Sequence, residues 1–529
     1  MTETRTTFSL WTEPWITLEK EQGGVEQLSI AETLKRAQEY RAIYESSPLV
    51  VVGIHRLLVA ILQSMLDPQE NNDLKRLWRA GKFPVNTIEE FGKSFEHRFD
   101  LFSEKEPFMQ SADLPIQPDK KSKISYVSRL AYDIPSGSYV THYRHGNEKD
   151  VSFCPKCVAK HLVTIPAFAS SGGAGIKPSI NGVPPIYVIP GGRNLFESLT
   201  ASLVCPPYQP EVRSKKDTPW WEHKPIIESG KEIERIGYSY SLTFPARRAR
   251  AHPQIKPSTC VRCGSETELS VSTVILEMGE TRPENAEVWL DPFVAYVLPK
   301  EKGLKNKKIV SRSSKKGDKA FPIRPNHRRK AWAIWREFTG LFLSDDKQNE
   351  TRRPKVIEQY LALDLPTQQS LAFRCVSLMT DGKGKIFSWA DAGFDIPPTV
   401  LKDENAGVDI RVASNFSSGC VDAIVRIFLS FFRRSKSKQH EVIANRMVET
   451  YWARLAEPFR QYVLKMDEPE NFDAAQQFWA DKVIGCARNT FNEAAQSLGD
   501  DAERLAQHAK AEKELNIQLS KKRKEFLNE

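Results

Sequence analysis

Residues 407–434 have the sequence GVDIRVASNFSSGCVDAIVRIFLSFFRR, in which apolar side chains recur at intervals of three and four. That spacing is typical of an amphipathic helix. The same periodicity appears in three further stretches, at about 440–465, 472–497 and 500–526. Four helices of about 25 residues, each about 38 Å long, joined by short connections, predict an antiparallel four-helix bundle.

The chain before residue 395 has a different character. Short apolar runs alternate there with turns rich in proline and glycine, such as Pro190-Gly191-Gly192, which is typical of many short elements separated by loops. We therefore predict an α+β protein of two domains. A large mixed α/β domain would span residues 1–390, and the four-helix bundle would span residues 396–529.

Local patterns predict some individual elements of the first part. Helical spacing occurs at 43–66 and 327–343, and strand-like composition occurs at 186–190 and 270–276. The apolar run at 49–65 is interrupted by His55 and Arg56, which favours a buried core helix over a membrane span. The first residues do not resemble a secretory leader, so we expect a cytoplasmic protein with reduced thiols.

Positive charge is concentrated in one segment of the chain. The 529 residues carry a net charge of +9, but the stretch from Lys300 to Arg336 alone holds 14 Lys/Arg and two acids. Trp332 and Trp335 lie within it, and cations interleaved with aromatics can follow phosphates and stack on bases. A solvated surface loop followed by a core helix face is the alternative. The candidate DNA contacts in this segment are Lys315, Lys316, Arg328 and Arg329.

Two CxxC pairs are the sharpest chemical pattern. They are Cys154-Pro155-Lys156-Cys157 and Cys260-Val261-Arg262-Cys263-Gly264. Four thiolates, two on each tight turn, form the ligand set that structural zinc prefers, and a closed set leaves no position for catalysis. The two pairs lie about 100 residues apart, so zinc would tie distant segments together. Two unrelated reduced pairs are the alternative.

A glycine-rich stretch, Ser170-Ser-Gly-Gly-Ala-Gly-Ile-Lys177, follows the first pair. It is not a P-loop, because no Gly-Lys-Ser/Thr closes it, and Pro178 replaces the third glycine of a dinucleotide-binding fingerprint. It is either a flexible loop without function or a backbone that approaches a ligand closely, such as a DNA groove or a phosphate, with Lys177 beside it.

Several segments together resemble the CasA family, the large subunit of the type I-E CRISPR surveillance complex Cascade. The opening Phe8-Ser-Leu-Trp-Thr-Glu-Pro-Trp-Ile16 and the internal Glu106-Pro-Phe-Met-Gln110 resemble two motifs of the family. The cysteine pairs, the glycine-rich stretch and the C-terminal helices follow in the expected order. The resemblance implies a non-catalytic subunit that recognises the PAM in duplex DNA, helps open the duplex for guide RNA pairing, and recruits a separate helicase–nuclease.

The resemblance also assigns DNA-recognition positions. The glycine loop of the family corresponds to Ser171, Gly172, Gly173, Ala174 and Gly175, with Lys177 beside them. A glutamine wedge, inserted where the duplex separates, corresponds to Gln368 or Gln369; the alternative is a polar helix start capped by Thr367. Ungapped matching places Met278 where the family has its groove-reading lysine, and the nearest cation is Arg282. Either a gap shifts the alignment, or this protein reads its PAM differently.

A further loop of the family contacts the guide RNA end and neighbouring subunits. Its counterpart precedes the first cysteine pair and contains Tyr143, Arg144 and His145. An aromatic side chain next to a cation suits stacking on an RNA end, and an exposed polar loop is the alternative.

Catalytic patterns are missing from the sequence. His440-Glu441 begins an HExxH pattern, but Ala444 replaces the second histidine. We therefore predict a DNA-recognition subunit of Cascade, with guide RNA, other Cascade subunits, target DNA and the helicase–nuclease as partners and structural zinc as cofactor. One alternative is a zinc-stabilised nucleic-acid-processing enzyme, and another is a scaffold that binds only protein.

Overall fold

A computed structural model describes most of the chain. The described residues are 6–117, 123–134, 151–171, 176–210, 217–283, 289–298, 320–326, 331–343, 351–365, 370–382, 384–432, 439–499 and 501–528. They divide into two compact units. The first unit comprises Met1–Pro325, Asp345–Leu365 and Arg374–Asp391, and the second comprises Asn326–Ser344, Pro366–Phe373 and Ala392–Glu529.

Strands and helices are both present, which confirms the predicted α+β class. The strands are β1 (Ile16–Lys20), β2 (Val25–Leu28), β3 (Tyr40–Ile43), β4 (Ile124–Tyr126), β5 (Tyr187–Pro190), β6 (Arg247–Thr259), β7 (Glu266–Met278), β8 (Tyr296–Val297), β9 (Phe321–Pro322), β10 (Thr351–Arg352), β11 (Leu371–Thr380) and β12 (Ile386–Ile396). They form sheets of order β2-β1-β3, β4-β7-β6, β10-β8-β9 and β12-β11-β5.

The helices differ in length between the two units. Those of the first 400 residues are α1 (Ile30–Lys35), α2 (Pro48–Leu66), α3 (Asn71–Ala80), α4 (Val85–Phe95), α5 (Pro155–Leu162), α6 (Ile165–Phe168), α7 (Leu195–Ser202), α8 (Tyr238–Leu242), α9 (Phe338–Phe342) and α10 (Lys355–Ala362). The rest are α11 (Pro398–Lys402), α12 (Glu404–Phe432), α13 (Gln439–Leu464), α14 (Phe472–Gln496) and α15 (Ala502–Leu527).

The hairpin of β6 and β7 is the longest strand pair of the first unit. The two strands run antiparallel from Arg247 opposite Met278 to Thr259 opposite Glu266. β7 is the central strand, and β6 is an edge strand of this sheet. Pro253 is therefore tolerated, because its missing N–H falls on an edge strand and next to a bulge. The tip of this hairpin carries the second cysteine pair.

α2 is a core helix of the first unit. It and α12 are long and apolar enough to cross a membrane, but 83% of the most apolar window of α2 is buried in the fold, as a core helix requires. The prediction of a helix from residue 43 is wrong at its start, since residues 40–43 form β3. The helix begins at Pro48, whose fixed φ suits the first helical turn.

His55 and Arg56, which interrupt the apolar run of α2, are buried, and each has a polar partner. The guanidinium of Arg56 pairs with the carboxylate of Asp291 at 3.1 Å, and both side chains are almost inaccessible to solvent. The aromatic rings of Tyr187 and Phe293 lie 5.1 and 5.4 Å from the guanidinium carbon. His55 Nε2 lies 2.9 Å from the hydroxyl of Ser202. Both residues therefore belong to the core, in line with the prediction.

Long helices α12 to α15 dominate the second unit. Phe416 of α12 stacks on Phe526 of α15 at 4.4 Å, and Trp479 of α14 stacks on Tyr462 of α13 at 5.5 Å. The hydroxyl of Tyr451 donates to a carbonyl of α12 at 2.8 Å. Apolar faces repeated every three or four residues thus pack against one another, as the periodicity predicts.

The prediction of a helix over 327–343 is wrong in part. Residues 327–330 lie outside the described part of the chain, and the α-helix that follows is only α9, preceded by a 3-10 turn at Ile334–Glu337. Trp335 is buried, 5.6 Å from the ring of Trp452, with Arg336 over that same ring. The spacing of the two tryptophans therefore reflects core packing at Trp335.

Candidate functional site

The four cysteines of the two CxxC pairs converge on one point. All four sulfur atoms lie within 4.8 Å of one another, and the sulfurs of Cys154 and Cys263 are 3.7 Å apart. A tetrahedral site with metal–sulfur bonds of about 2.3 Å has sulfurs about 3.8 Å apart. The cysteines are free thiols, and only Cys263 is exposed. Among the described residues, this cluster is the group that could hold a metal ion.

The first cysteine pair is positioned by the start of α5. Cys154 caps the helix, Pro155 occupies its first position, and Cys157 lies within the first turn. The preceding residue, Phe153, exchanges two backbone hydrogen bonds of 2.9 Å with Val271 of β7. The helix start gives both thiols the positive end of the helix dipole, which favours thiolates.

The second pair occupies the turn at the tip of the β6–β7 hairpin. The N–H of Cys260 donates to the carbonyl of Ser265 at 2.9 Å, and the N–H of Gly264 donates to the carbonyl of Cys260 at 2.8 Å. Gly264 has a φ of +73°, a conformation that glycine adopts without strain. The N–H of Val261 donates to the carbonyl of Ser152, which ties this turn to the first pair.

Crowding of the thiols sets their ionisation. Hydrogen bonds from the thiols of Cys154 and Cys157 hold the pKa of Cys260 far below its usual range. The same contacts with Cys154 and Cys260, together with burial, raise the pKa of Cys157 well above its usual range. Ionisation of one thiol therefore disfavours ionisation of its neighbours, because their negative charges repel. A bound divalent cation offsets this repulsion by coordinating all four thiolates. The cluster thus fits a structural metal.

The glycine-rich loop begins 13 residues after Cys157 and returns to where it started. The N–H of Ser179 donates to the carbonyl of Ala169 at 2.8 Å, and its hydroxyl donates to the carbonyl of Pro166 at 2.6 Å. Lys177 pairs with Glu232 at 3.3 Å, with both side chains about half exposed. Ser171 is partly buried, and Gly172–Gly175 lie outside the described residues.

Arg247 is a residue near this loop that the sequence did not single out. Its guanidinium donates to the carbonyls of Ser170 and Lys177, one on each side of the loop. The residue lies opposite Met278 in the antiparallel register of β6 and β7. Arg282, the nearest cation, is largely buried, and burial lowers its pKa from the usual value.

The other sequence-predicted contact residues lie outside the described part of the chain. These are Gln368 and Gln369 of the wedge, Lys315, Lys316, Arg328 and Arg329 of the basic segment, and Tyr143, Arg144 and His145 of the RNA-contact loop. They stay predictions. The described geometry thus brings the four cysteines together. Separately, it brings together the two ends of the glycine-rich loop, with Lys177 about 20 residues after Cys157.

Comparison with known proteins shows the family. A family model described as CRISPR-associated protein Cse1 matches residues 9–496. A curated CRISPR-associated protein CasA/Cse1 of Thermus thermophilus is 34% identical over 258 residues, which are 46% of this chain. The chain spans about half, 48%, of the length of this curated relative.

Solved structures agree over nearly the whole chain. The Cse1 crystal structure from Acidimicrobium ferrooxidans matches with a TM-score of 0.79 at 21% identity, covering 99% of this chain and 100% of the other. A chain of a structure titled CRISPR RNA-guided surveillance complex matches with a TM-score of 0.70 at 18% identity, covering 97% and 100%. At these identities the likeness shows the fold. The family model spans most of the chain, and the chain therefore belongs to the CRISPR-associated CasA/Cse1 family, as its sequence motifs predicted.

Proposed function

We propose that this chain is the non-catalytic large subunit of a type I-E Cascade complex in the cytoplasm. It recognises the PAM in double-stranded DNA, helps destabilise the duplex for guide RNA pairing, and recruits the helicase–nuclease. The match of the Cse1 family model over residues 9–496 carries this proposal. Other Cascade subunits, the guide RNA and the target DNA are its partners, and it has no membrane role.

The DNA-recognition role rests on the glycine-rich loop. The two ends of the loop are held together at its base by the hydrogen bond from the N–H of Ser179 to the carbonyl of Ala169. A backbone without side chains can enter the narrow minor groove, where hydrogen-bonding groups are few and degenerate. Lys177 at this base supplies a phosphate contact once it leaves Glu232, because an exposed ion pair of this kind is weak.

The metal and the helical region have structural roles in the proposal. Zinc occupies the four-cysteine cluster and ties the start of α5 to the tip of the β6–β7 hairpin, because four thiolates at tetrahedral spacing suit zinc. Helices α12 to α15 form an antiparallel four-helix bundle that serves as a docking platform. Their mutual aromatic contacts, such as Phe416 on Phe526, support this arrangement.

The proposed function is tested with the assembled complex and two duplexes that differ only in the PAM. Combined Gln368→Ala and Gln369→Ala substitution should remove the preference for the PAM duplex, because the wedge then no longer compensates the opened base pair. Gln254→Ala, at an exposed position of β6, is the matched control and should keep the preference. Unchanged PAM preference in the double variant would favour the protein-binding scaffold.

The enzymatic alternative is tested by a simpler experiment. Purified chain is incubated with duplex or single-stranded DNA, or with RNA, in the presence of divalent metal and without any other protein. Intact nucleic acid is the expected result, because the four-cysteine cluster leaves no open coordination position. Nuclease activity that stays with the chain through purification would contradict the proposed function and favour a zinc-stabilised nucleic-acid-processing enzyme.

A further inference from the structure

The glycine-rich loop has a well-defined base, which we call the neck: residues 169–171 and 176–179. A backbone hydrogen bond of 2.8 Å, from the N–H of Ser179 to the carbonyl of Ala169, joins the two sides of the neck at its base. The hydroxyl of the same serine reaches the carbonyl of Pro166 at 2.6 Å. Both hydrogen bonds involve Ser179 and hold only the base of the neck. They do not hold Ser170 and Lys177, which lie further along the loop.

Arg247 supplies a second set of hydrogen bonds, which hold Ser170 and Lys177. Its Nη1 donates to the carbonyl of Lys177 at 2.8 Å and to that of Ala246 at 2.7 Å, and its Nη2 donates to the carbonyl of Ser170. The residue is only 4% exposed. A guanidinium presents five donors in a fixed planar fork, so one side chain bridges carbonyls from both sides of the loop; an ammonium is a point charge that lacks this geometry.

Arg247 is itself fixed by the end of the hairpin. It is the first residue of β6 and lies opposite Met278 in the antiparallel register. The next residue of the opposite strand, Gly279, approaches so closely that an added Cβ would lie 2.6 Å from the Arg247 nitrogen and 2.1 Å from the Pro245 oxygen. Only glycine allows this approach, so the backbone that carries the guanidinium has little freedom to move.

The four-cysteine cluster and Arg247 tie the same two segments at opposite ends. One segment runs from Cys154 through α5 and α6 to the neck, and the other runs from Arg247 along β6 to Cys260. The cluster joins them at one end, and the hydrogen bonds from Arg247 join them at the other. The two segments are therefore connected at both ends, and this closed frame holds the neck more firmly than a single flexible attachment would.

We propose that Arg247 is a positioning residue that fixes the neck, and with it Lys177, for contact with the PAM duplex. The inference rests on the proposed function. A loop held in its bound geometry loses less conformational entropy on binding, which strengthens binding without adding a contact. Arg247 acts through the neck and does not touch the nucleic acid, since its guanidinium is buried and its donors are directed at backbone carbonyls.

Two variants test the neck directly in the full chain. Arg247→Met removes the guanidinium at similar length, and Arg247→Lys retains the charge. Amide hydrogen exchange in the neck, residues 169–171 and 176–179, should accelerate at least tenfold in Arg247→Met, because the variant loses the hydrogen bonds that a charged donor makes to both sides of the loop. Arg247→Lys should restore part of the protection. Arg250→Met is the control, because Arg250 is also buried on β6 but its Nη2 donates to the backbone carbonyl of Glu104 instead of to the neck.

The consequence for DNA is measured in the assembled complex. Arg247→Met should lower affinity for the PAM duplex about tenfold, which corresponds to about 1.4 kcal/mol, and leave affinity for a duplex without PAM unchanged. Zinc content should stay at the wild-type level, which separates loss of positioning from loss of the frame. If Arg247→Met fails to fold, Arg247→Lys provides the second variant, since it keeps the buried charge but lacks the planar fork that bridges the carbonyls of Ser170 and Lys177.

The outcomes distinguish this inference from the proposed function. Unchanged exchange over the neck in Arg247→Met, or in Arg247→Lys where the former does not fold, overturns the positioning role whatever the DNA result. Faster exchange with wild-type PAM affinity also overturns it, while loss of PAM preference in the Gln368/Gln369 variant keeps the proposed function. Absence of PAM preference in the wild-type complex defeats the proposed function itself and removes the DNA part of the inference.

Discussion

Loss of the metal from the four-cysteine cluster should destabilise the first unit by an amount that chain length sets. Cys260→Ser removes one ligand from a site whose sulfurs all lie within 4.8 Å of one another. In the proposed zinc site the metal would close a loop of about 100 residues between the two pairs, and in the chain-entropy model a cross-link over such a loop adds about 4.7 kcal/mol to the free energy of unfolding. Backbone bonds between Phe153 and Val271 join the same segments in the folded state but do not restrict the unfolded one.

The assay combines metal analysis with thermal unfolding. Freshly purified wild type should contain about one zinc per chain, because one closed site takes four thiolates. Cys260→Ser should lose the metal and unfold roughly 6 °C earlier, because the entropy of unfolding, about 2.1 cal/mol/K per residue, is large for a unit of this size. Cys486→Ser, on α14 and outside the cluster, is the matched control and should retain both the metal and the midpoint.

Two results would refute this reasoning. If Cys260→Ser retained zinc at the wild-type level, the four cysteines would not form a closed metal site. If chelation removed the metal but left the unfolding midpoint of the wild type unchanged, the cluster would not cross-link the two segments. Metal loss with a shift equal to that of Cys486→Ser would lead to the same conclusion.

Three other perturbations have defined outcomes. Asp291→Asn leaves the guanidinium of Arg56 buried without its counter-charge, so it should lower the free energy of unfolding by about 3–5 kcal/mol in urea titrations. Burial lowers the pKa of His55 from 6.5 to about 3, so the stability that this group contributes is complete above pH 6.5 and is lost as the pH falls toward 3. His55→Gln should therefore flatten the acid limb of a stability–pH profile by up to about 1.4 kcal/mol per pH unit; an unchanged slope would contradict the assignment. Charge reversal at Lys315 and Lys316 should reduce the slope of log affinity against log salt by about two for duplex DNA, and an unaltered slope would indicate a solvated loop.

The helices of the second unit were predictable because each carries a complete apolar stripe. The stretches predicted at 440–465 and 472–497 correspond to Gln439–Leu464 and Phe472–Gln496. The start of α2 was harder, because the apolar residues at 40–43 continue the helical spacing although they pair with β1 as a strand. Pairing with a neighbouring strand overrode local periodicity there, and Pro48 fixed the true start of the helix.

β6 was not predictable from local pattern. Its sequence, RRARAHPQIKPST, contains two prolines and four cations, which argue against a strand. β7 supplies the ladder hydrogen bonds, and bulges absorb the prolines. The cysteine pairs were predictable because a metal demands fixed ligand chemistry at fixed spacing. Arg247 was not, because its partner Lys177 lies 70 residues away and nothing in the sequence marks a backbone contact.

The wide separation of the two cysteine pairs has a consequence for biosynthesis. During translation at 5–20 residues per second, the first pair waits roughly 5–20 s before the second pair has been made. Through that interval Cys154 and Cys157 form an incomplete ligand set, and the missing half arrives only on the tip of the β6–β7 hairpin. Stable metal capture therefore follows hairpin formation. With zinc as the proposed metal, the metal content of newly made chains would report the fraction in which that hairpin has folded.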